Sequence, residues 1–332
     1  TGEDFNNFVN TRTSFNPHNM FICKSKTLLK NYYSIIFAWL KRCEDIFGFD
    51  NLSGYGKTRI YGFLAERFMS YWFQKNAKVK TMPIIFYDIT KDSDIIVITS
   101  GVARKPGMSR DDLLKINMNI VADVTEKSLN HSPNALLIVV TNPLDAMAMK
   151  AYQVSGKKTN EVFGMAGVLD TARFITFISE SENTSVNSIS ANVLGGHGDT
   201  MVPLLNNSSI GGKSLNDSIE PGKLKSLVQR TKDGGAEIVN LLKTGSAVYA
   251  PSASIVKMVD AICSDSKTIL PTTAYLNGEY GINDLYFGVP AKLGKDGIEE
   301  IIEYNLTENE KNDLIQSAEA VKETVDAMEK LS

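Results

Sequence analysis

Two apolar runs rich in β-branched residues constrain the fold of this chain more than any other feature. Asp94-Ile95-Ile96-Val97-Ile98-Thr99-Ser100-Gly101 closes on a glycine, and Ala135-Leu136-Leu137-Ile138-Val139-Val140 closes on Thr141-Asn142-Pro143. Neither run alternates polar with apolar residues, so each reads as a strand buried on both faces, the mark of a parallel sheet. Between them Leu113, Leu114, Ile116, Ile120, Val121 and Val124 recur at helical spacing. Strand, helix and strand joined by short connections predict right-handed crossovers and an α/β fold with a Rossmann-like, doubly wound parallel sheet. Ligands of such sheets bind beyond the carboxyl ends of the strands. Residues 100–110 and 141–144 are therefore site loops by position.

Downstream, Val162-Phe163-Gly164-Met165 reads as a short strand leading to a helix from Asp170, and residues 188–194 read as a further strand. Long helices are expected over 221–243, with Leu224, Leu227, Ile238, Leu241 and Leu242 on one face, and over 309–329. Glycine turns alternate with apolar runs across 280–303, as in a β-rich part. The expected organisation is a dinucleotide-binding part over 1–145, followed by an α+β substrate domain over 146–332. A chain of 332 residues suits two such lobes.

Residues 1–91 hold 19 of the 29 aromatic residues, including Trp39 and Trp72, so composition changes sharply near position 90. Three widely spaced cysteines (Cys23, Cys43, Cys263) form neither a disulfide framework nor a metal quartet, and no metal site is expected. Together with the absence of a secretory leader, they point to the cytoplasm. The chain opens on Thr1, so its true start is expected to be missing or processed. A net charge of −3 argues against nucleic acid as the main partner. The apolar run over 32–40 is too short to span a bilayer, so no membrane partner is expected.

Three segments carry side chains suited to chemistry. Leu194-Gly195-Gly196-His197-Gly198-Asp199 sets one of only three histidines among glycines. Imidazole exchanges protons near neutral pH, and glycines allow close approach of a ligand. Arg104, Lys105 and Arg110 share the loop Gly101–Arg110 at a strand's carboxyl end, where guanidinium forks suit carboxylates. Asp170 and Arg173 lie three apart at a helix start, on one face. Each segment also has a duller reading: a packed histidine, a solubilising loop, a capping aspartate paired to its neighbour. Together they suggest an acid/base pair beside an anion clamp. Gly54-Tyr55-Gly56-Lys57-Thr58 fails as a phosphate loop, because Asn51 stands where the opening glycine belongs.

Residues from about 86 to 330 resemble the lactate/malate dehydrogenase family, and within it the lactate-dehydrogenase-like malate dehydrogenases. The motifs are Asp94–Gly101, Ala103–Arg110, Thr141-Asn142-Pro143-Leu144-Asp145, Gly164–Asp170, Leu194–Pro203, Gly234–Val239, Gly245–Pro251 and Tyr280-Gly281-Ile282. The resemblance implies an NAD-dependent oxidoreductase of the tricarboxylic acid cycle, working as a homodimer or homotetramer on a small dicarboxylate. In that family's terms His197 exchanges the substrate proton and Asp170 fixes the tautomer of His197. Arg173 holds the C1 carboxylate, Arg110 polarises the C2 carbonyl from the mobile loop, and Ser246 lines the pocket. Asn142 bonds the substrate near the nicotinamide, while Asn117, Val140 and Thr141 sit by the cofactor. Arg104 occupies the position that selects oxaloacetate over pyruvate; lactate dehydrogenase activity is the alternative. A non-catalytic dicarboxylate-binding relative is another.

The departure lies in the N-terminal part. If Asp45-Ile46-Phe47-Gly48-Phe49-Asp50 ends the strand whose acid binds the adenine ribose, the phosphate loop falls near 25–30. That stretch, Ser25-Lys26-Thr27-Leu28-Leu29-Lys30, has no glycine. Three accounts follow: a shifted reading frame over 1–85, which the composition favours; a relative that has lost cofactor binding; or a divergent nucleotide site that keeps Asp50.

Overall fold

The computed structural model describes residues 26–48, eight positions between 65 and 76, and residues 92–102, 108–242 and 247–331. Contacts divide the chain into two units, Thr1–Ile85 and Phe86–Ser332.

In the first unit, helix α1 spans Lys26–Phe47. Leu28, Tyr32, Ile36, Trp39, Leu40 and Cys43 recur every three or four positions, which puts them on one face. Tyr32 and Ile36 are buried in a cluster with Phe68, Met69 and Trp72. The rings of Trp39 and Phe68 stack at 4.8 Å. This helix overturns the expected strand ending at Asp50. Asp45 sits on the helix and pairs with Lys41 one turn earlier at 3.1 Å, and the apolar period is helical rather than alternating.

The second unit is built on a six-stranded sheet, in which three parallel strands are continued by three antiparallel ones. β1 (Ile95–Ile98), β2 (Leu136–Val139) and β3 (Val162–Gly164) are parallel. Helix α2 (Arg110–His131) links the first two, as the sequence predicts, and α3 (Leu144–Ser155), which the sequence reading does not anticipate, links β2 to β3. The Ser109 hydroxyl accepts the Asp112 amide at 3.0 Å and Asp112 returns a bond to the Ser109 amide, closing a capping box at the start of α2. β2 is buried throughout, but β1 buries only Ile96 and Ile98, so the expectation of a doubly buried strand fails there.

The remaining sheet strands are antiparallel: β9 (Thr268–Asn277) adds to β3, then β10 (Asn283–Gly294) and β11 (Gly297–Ile301). Pro271 inside β9 hides it from a sequence reading, because proline weakens a strand assignment. The parallel and antiparallel parts thus form one continuous sheet.

Helix α4 (Gly167–Glu182) begins three residues before the expected Asp170. The strand expected over 188–194 is two short pieces, β4 (Ile189–Ser190) and β5 (Val193–Leu194), in different small sheets. β5 pairs with β6 (Val202–Pro203), and β4 pairs with β7 (Ser209–Ile210), which pairs with β8 (Lys213–Ser214). A one-turn helix α5 (Leu215–Ser218) precedes α6 (Pro221–Leu242). Leu224 and Leu227 of α6 are buried, whereas Leu241 is 71% exposed, so the expected single apolar face stops partway along the helix. Helix α7 (Tyr249–Cys263) follows, and α8 (Glu308–Leu331) closes the chain with buried Leu314, Ser317, Val321, Val325 and Met328. Among the described residues no helix is long and apolar enough to cross a membrane.

Candidate active site

Where β1 and β2 end, side chains tie their loops into a shelf. The Thr141 hydroxyl donates to the Ser100 carbonyl at 2.7 Å. The Asn117 amide, from α2, donates to the Asn142 carbonyl at 2.7 Å, and its Oδ1 accepts the Val102 N–H at 2.8 Å. Val140 is fixed by its N–H bond to the Ile98 carbonyl at 2.9 Å. Gly101 lies so close to this shelf that a Cβ there would stand 2.6 Å from Thr141 Cγ2 and 3.2 Å from Asn117 Oδ1. Asn117 and Thr141 are buried, whereas Asn142 is exposed at the lip.

A second group forms around the loop between β5 and β6. His197 Nδ1 lies 2.8 Å from Asp170 Oδ2, and Arg173 Nη1 lies 3.3 Å from Asp170 Oδ1. Asp170 is 2% exposed. A lone carboxylate there would cost several kcal/mol, which its two cationic partners offset. Burial disfavours the imidazolium, but the Asp170 carboxylate, by charge and hydrogen bond, and the Asp145 carboxylate outweigh it. His197 therefore sits above its ordinary pKa, although Arg173 opposes the rise. With Nδ1 directed at Asp170, Nε2 is the nitrogen left to exchange a proton.

The loop's backbone is held by groups that sequence reading passed over. The Gly195 N–H donates to the Gly288 carbonyl of β10 at 2.9 Å. The Gly196 N–H donates to Ser317 Oγ of α8 at 2.9 Å. The His197 N–H donates to Asp145 Oδ2 of α3 at 3.0 Å. Three consecutive amides are thus pinned by three different elements. Each pinning residue left a trace in the sequence. Asp145 interrupts the apolar run Leu144–Met149, Ser317 takes a core position on the stripe of α8, and Gly288 breaks a strand, as happens where another backbone comes close.

The structure thus unites His197, Asp170 and Arg173, and separately Asn117, Val140, Thr141 and Asn142. Arg110 stands exposed on the first turn of α2. Arg104, Ser246 and Asp50 lie outside the described residues. Among the described residues no cluster of three His, Cys, Asp or Glu side chains could hold a metal.

A parallel sheet with tied strand-end loops, together with a buried carboxylate–imidazole–guanidinium group, makes this an α/β enzyme of the dehydrogenase class. Residues 167–332 match the model for the lactate/malate dehydrogenase α/β C-terminal domain, and residues 70–164 match that for the family's NAD-binding domain. Malate dehydrogenase of Shouchella clausii is 53% identical over 242 residues, covering 73% of this chain and 77% of the relative. The malate dehydrogenase structure from Salinibacter ruber is 48% identical with a TM-score of 0.70, over 74% of this chain and 78% of that one. Lactate dehydrogenase from Cryptosporidium parvum, solved with lactic acid and nicotinamide adenine dinucleotide, is 34% identical with a TM-score of 0.71, over 83% and 88%. The chain belongs to the lactate/malate dehydrogenase family. Residues 2–77 match a different model, a domain of unknown function.

NAD is the family's cofactor, and the residues fit it unevenly. The shelf lies at the carboxyl ends of β1 and β2, where ligands of such sheets bind, and Gly101 is packed there so tightly that a Cβ would meet Thr141 and Asn117. For the diphosphate, residues 26–47 offer a continuous helix where the strand–glycine turn was expected, so no glycine phosphate loop is present among the described residues.

Proposed function

We infer that the protein is an NAD-dependent malate dehydrogenase, which converts (S)-malate and NAD reversibly to oxaloacetate and NADH. The observation that carries this reading is the Asp170–His197–Arg173 group in a chain 53% identical to a malate dehydrogenase. The solved lactate dehydrogenase is more distant, at 34% identity, which favours malate over lactate. Arg104, at the position the resemblance gives to substrate selection, suits a second carboxylate, since an unpaired guanidinium would be left facing pyruvate.

The roles are those that the resemblance implies, and each suits the chemistry of its group. When bound, NAD accepts and returns the hydride. His197 takes the C2 hydroxyl proton of malate at Nε2 and gives it back in the reverse direction. Asp170 fixes the imidazole and stabilises its charged form, and Arg173 holds the C1 carboxylate. Arg110 polarises the C2 carbonyl, while Asn142 orients the substrate from the lip of the shelf. Asn117, Val140 and Thr141 support the nicotinamide end, and Ser246 lines the pocket.

The division into a dinucleotide-binding part over 1–145 and a substrate domain over 146–332 belongs to the same reading. So do a homodimeric or homotetrameric state, a cytoplasmic setting and a role in the tricarboxylic acid cycle. For residues 1–85, the amphipathic α1 and the family-model match at 2–77 favour an authentic segment over a shifted reading frame.

The helix at 26–47 supports a second reading, a dicarboxylate-binding relative without tight cofactor binding. One experiment separates the two. The enzyme oxidises NADH with oxaloacetate far faster than with pyruvate, and His197→Asn removes that turnover. If calorimetric titration detects oxaloacetate but no dinucleotide, and no turnover occurs, the binding-protein reading replaces the first.

A further inference from the structure

We propose that Asp145, on α3, is a positioning residue for proton transfer: its carboxylate holds the main chain of His197 from one side while Asp170 holds the ring from the other. The inference rests on the dehydrogenase reading of His197 and extends it to a residue outside the expected acid/base group.

The geometry is specific. Asp145 Oδ2 accepts the His197 N–H at 3.0 Å, and Asp145 Oδ1 accepts the Thr273 hydroxyl of β9 at 3.2 Å. Both carboxylate oxygens are therefore engaged, one by the loop and one by the central sheet. Asp145 is 6% exposed in the apolar run Leu144–Met149, where a carboxylate needs a reason to be. Among the described residues, the imidazole of His197 is the charged side chain that acts on Asp145, which also lies in the first turn of α3. A structural polar anchor could be a neutral Asn or Ser. A carboxylate also adds negative charge beside the imidazole, and that charge strengthens proton uptake by His197.

The groups acting on the imidazole come from every side of the loop. Among the described residues, Asp170 and Arg173 belong to α4 and Asp145 to α3, while β10 and α8 meet the loop through the neutral Gly288 carbonyl and Ser317 hydroxyl. Burial pushes the Asp145 carboxyl up to about 6, while the His197 amide, the imidazole charge and the Thr273 hydroxyl hold it down. It is thus ionised at neutral pH and gains its own proton in weak acid. Loss of that charge below about pH 6 makes His197 easier to deprotonate there, so the two sites titrate as a coupled pair.

The test reads the imidazole directly, by NMR titration of the His197 ring in the full chain without cofactor or substrate. The His197→Asn spectrum identifies its resonance among the three histidines. Asp145→Asn keeps an acceptor for the His197 N–H but removes the charge. It lowers the His197 pKa by about half a unit to one unit. Asp145→Ala also removes the acceptor, and hydrogen exchange of the His197 amide then accelerates about tenfold or more. Thr273→Val removes the hydroxyl that holds Asp145 Oδ1, and exchange of the same amide accelerates by less. If Asp145→Asn does not fold, amide exchange in Thr273→Val decides. An unchanged His197 titration in Asp145→Asn, or unchanged His197 amide exchange in Thr273→Val where Asp145→Asn does not fold, overturns the proposal. Because no readout involves turnover or NAD, failure of the malate dehydrogenase reading would show separately, as absent activity in the parent chain.

Discussion

Asp170 holds His197 by a 2.8 Å contact to the ring nitrogen Nδ1. A carboxylate in this place does two things at once. It selects the tautomer that leaves Nε2 for the substrate, and it stabilises the imidazolium formed when the proton arrives. Asp170→Asn keeps the shape and loses the charge. The turnover number for oxaloacetate reduction should fall by roughly 10²–10⁴-fold, the range general acid–base catalysis supplies. A steady-state assay with the variant checks this, and a loss below threefold would detach Asp170 from the chemistry.

The pH dependence has a definite sign. His197 sits above its ordinary pKa because Asp170 and Asp145 outweigh burial. Malate oxidation needs the neutral ring, so kcat/KM for malate should rise with pH and level off only above that raised value. Oxaloacetate reduction needs the charged ring and should fall over the same interval. Stability follows the same proton: the contribution of His197 is complete below its unfolded pKa and is lost as pH rises through the folded one. Paired pH–rate profiles in the two directions, set beside the melting temperature, check both trends.

Arg173 places a planar fork next to Asp170 at 3.3 Å, with its stem against Gly234 of α6. A Cβ at Gly234 would stand 3.2 Å from Arg173 Cδ, so the glycine makes room for this arginine. Lysine keeps the charge but cannot bind a carboxylate with two parallel bonds. Losing one charge-assisted hydrogen bond costs about 1.5–3 kcal/mol. Arg173→Lys should therefore raise KM for oxaloacetate roughly ten- to a hundredfold, and initial-rate kinetics at varied oxaloacetate would show it.

Much of the second unit was legible because its signals are local. The runs ending at Ser100 and Val140, the helix between them and the histidine loop all announce themselves within a few residues. Asp145, Ser317 and Gly288 are harder to read, since each matters only through a contact with residues far along the chain: 52 positions for Asp145 to His197 and 121 for Ser317 to Gly196. The stretch before Asp50 is a helix for another reason: the apolar period of Leu28, Tyr32, Ile36 and Cys43 is helical, and it outweighs the correspondence of position that pointed to a strand. β9 was hidden by Pro271, and the split of residues 188–194 into two sheets depends on partners the local sequence does not name.

Gly288 supplies the most direct link between stability and the site. Its carbonyl accepts the Gly195 N–H at 2.9 Å, and a Cβ on Gly288 would lie 2.3 Å from the Gly195 carbonyl oxygen. The obstacle is backbone on both sides, so no side-chain rotation relieves it, and the loop carrying His197 must move. Gly288→Ala should cost about 1–3 kcal/mol by overpacking, which lowers the melting temperature by several degrees, and it should also reduce turnover. Gly235 in α6 is the contrasting case. No described residue lies within 4 Å of a Cβ there, and the residue is inside a helix. Gly235→Ala should stabilise by about 0.5–1 kcal/mol through the helical preference of alanine and leave turnover unchanged. Thermal denaturation of the two variants, with activity measured in parallel, separates a glycine required by close packing at the site from one that is merely tolerated.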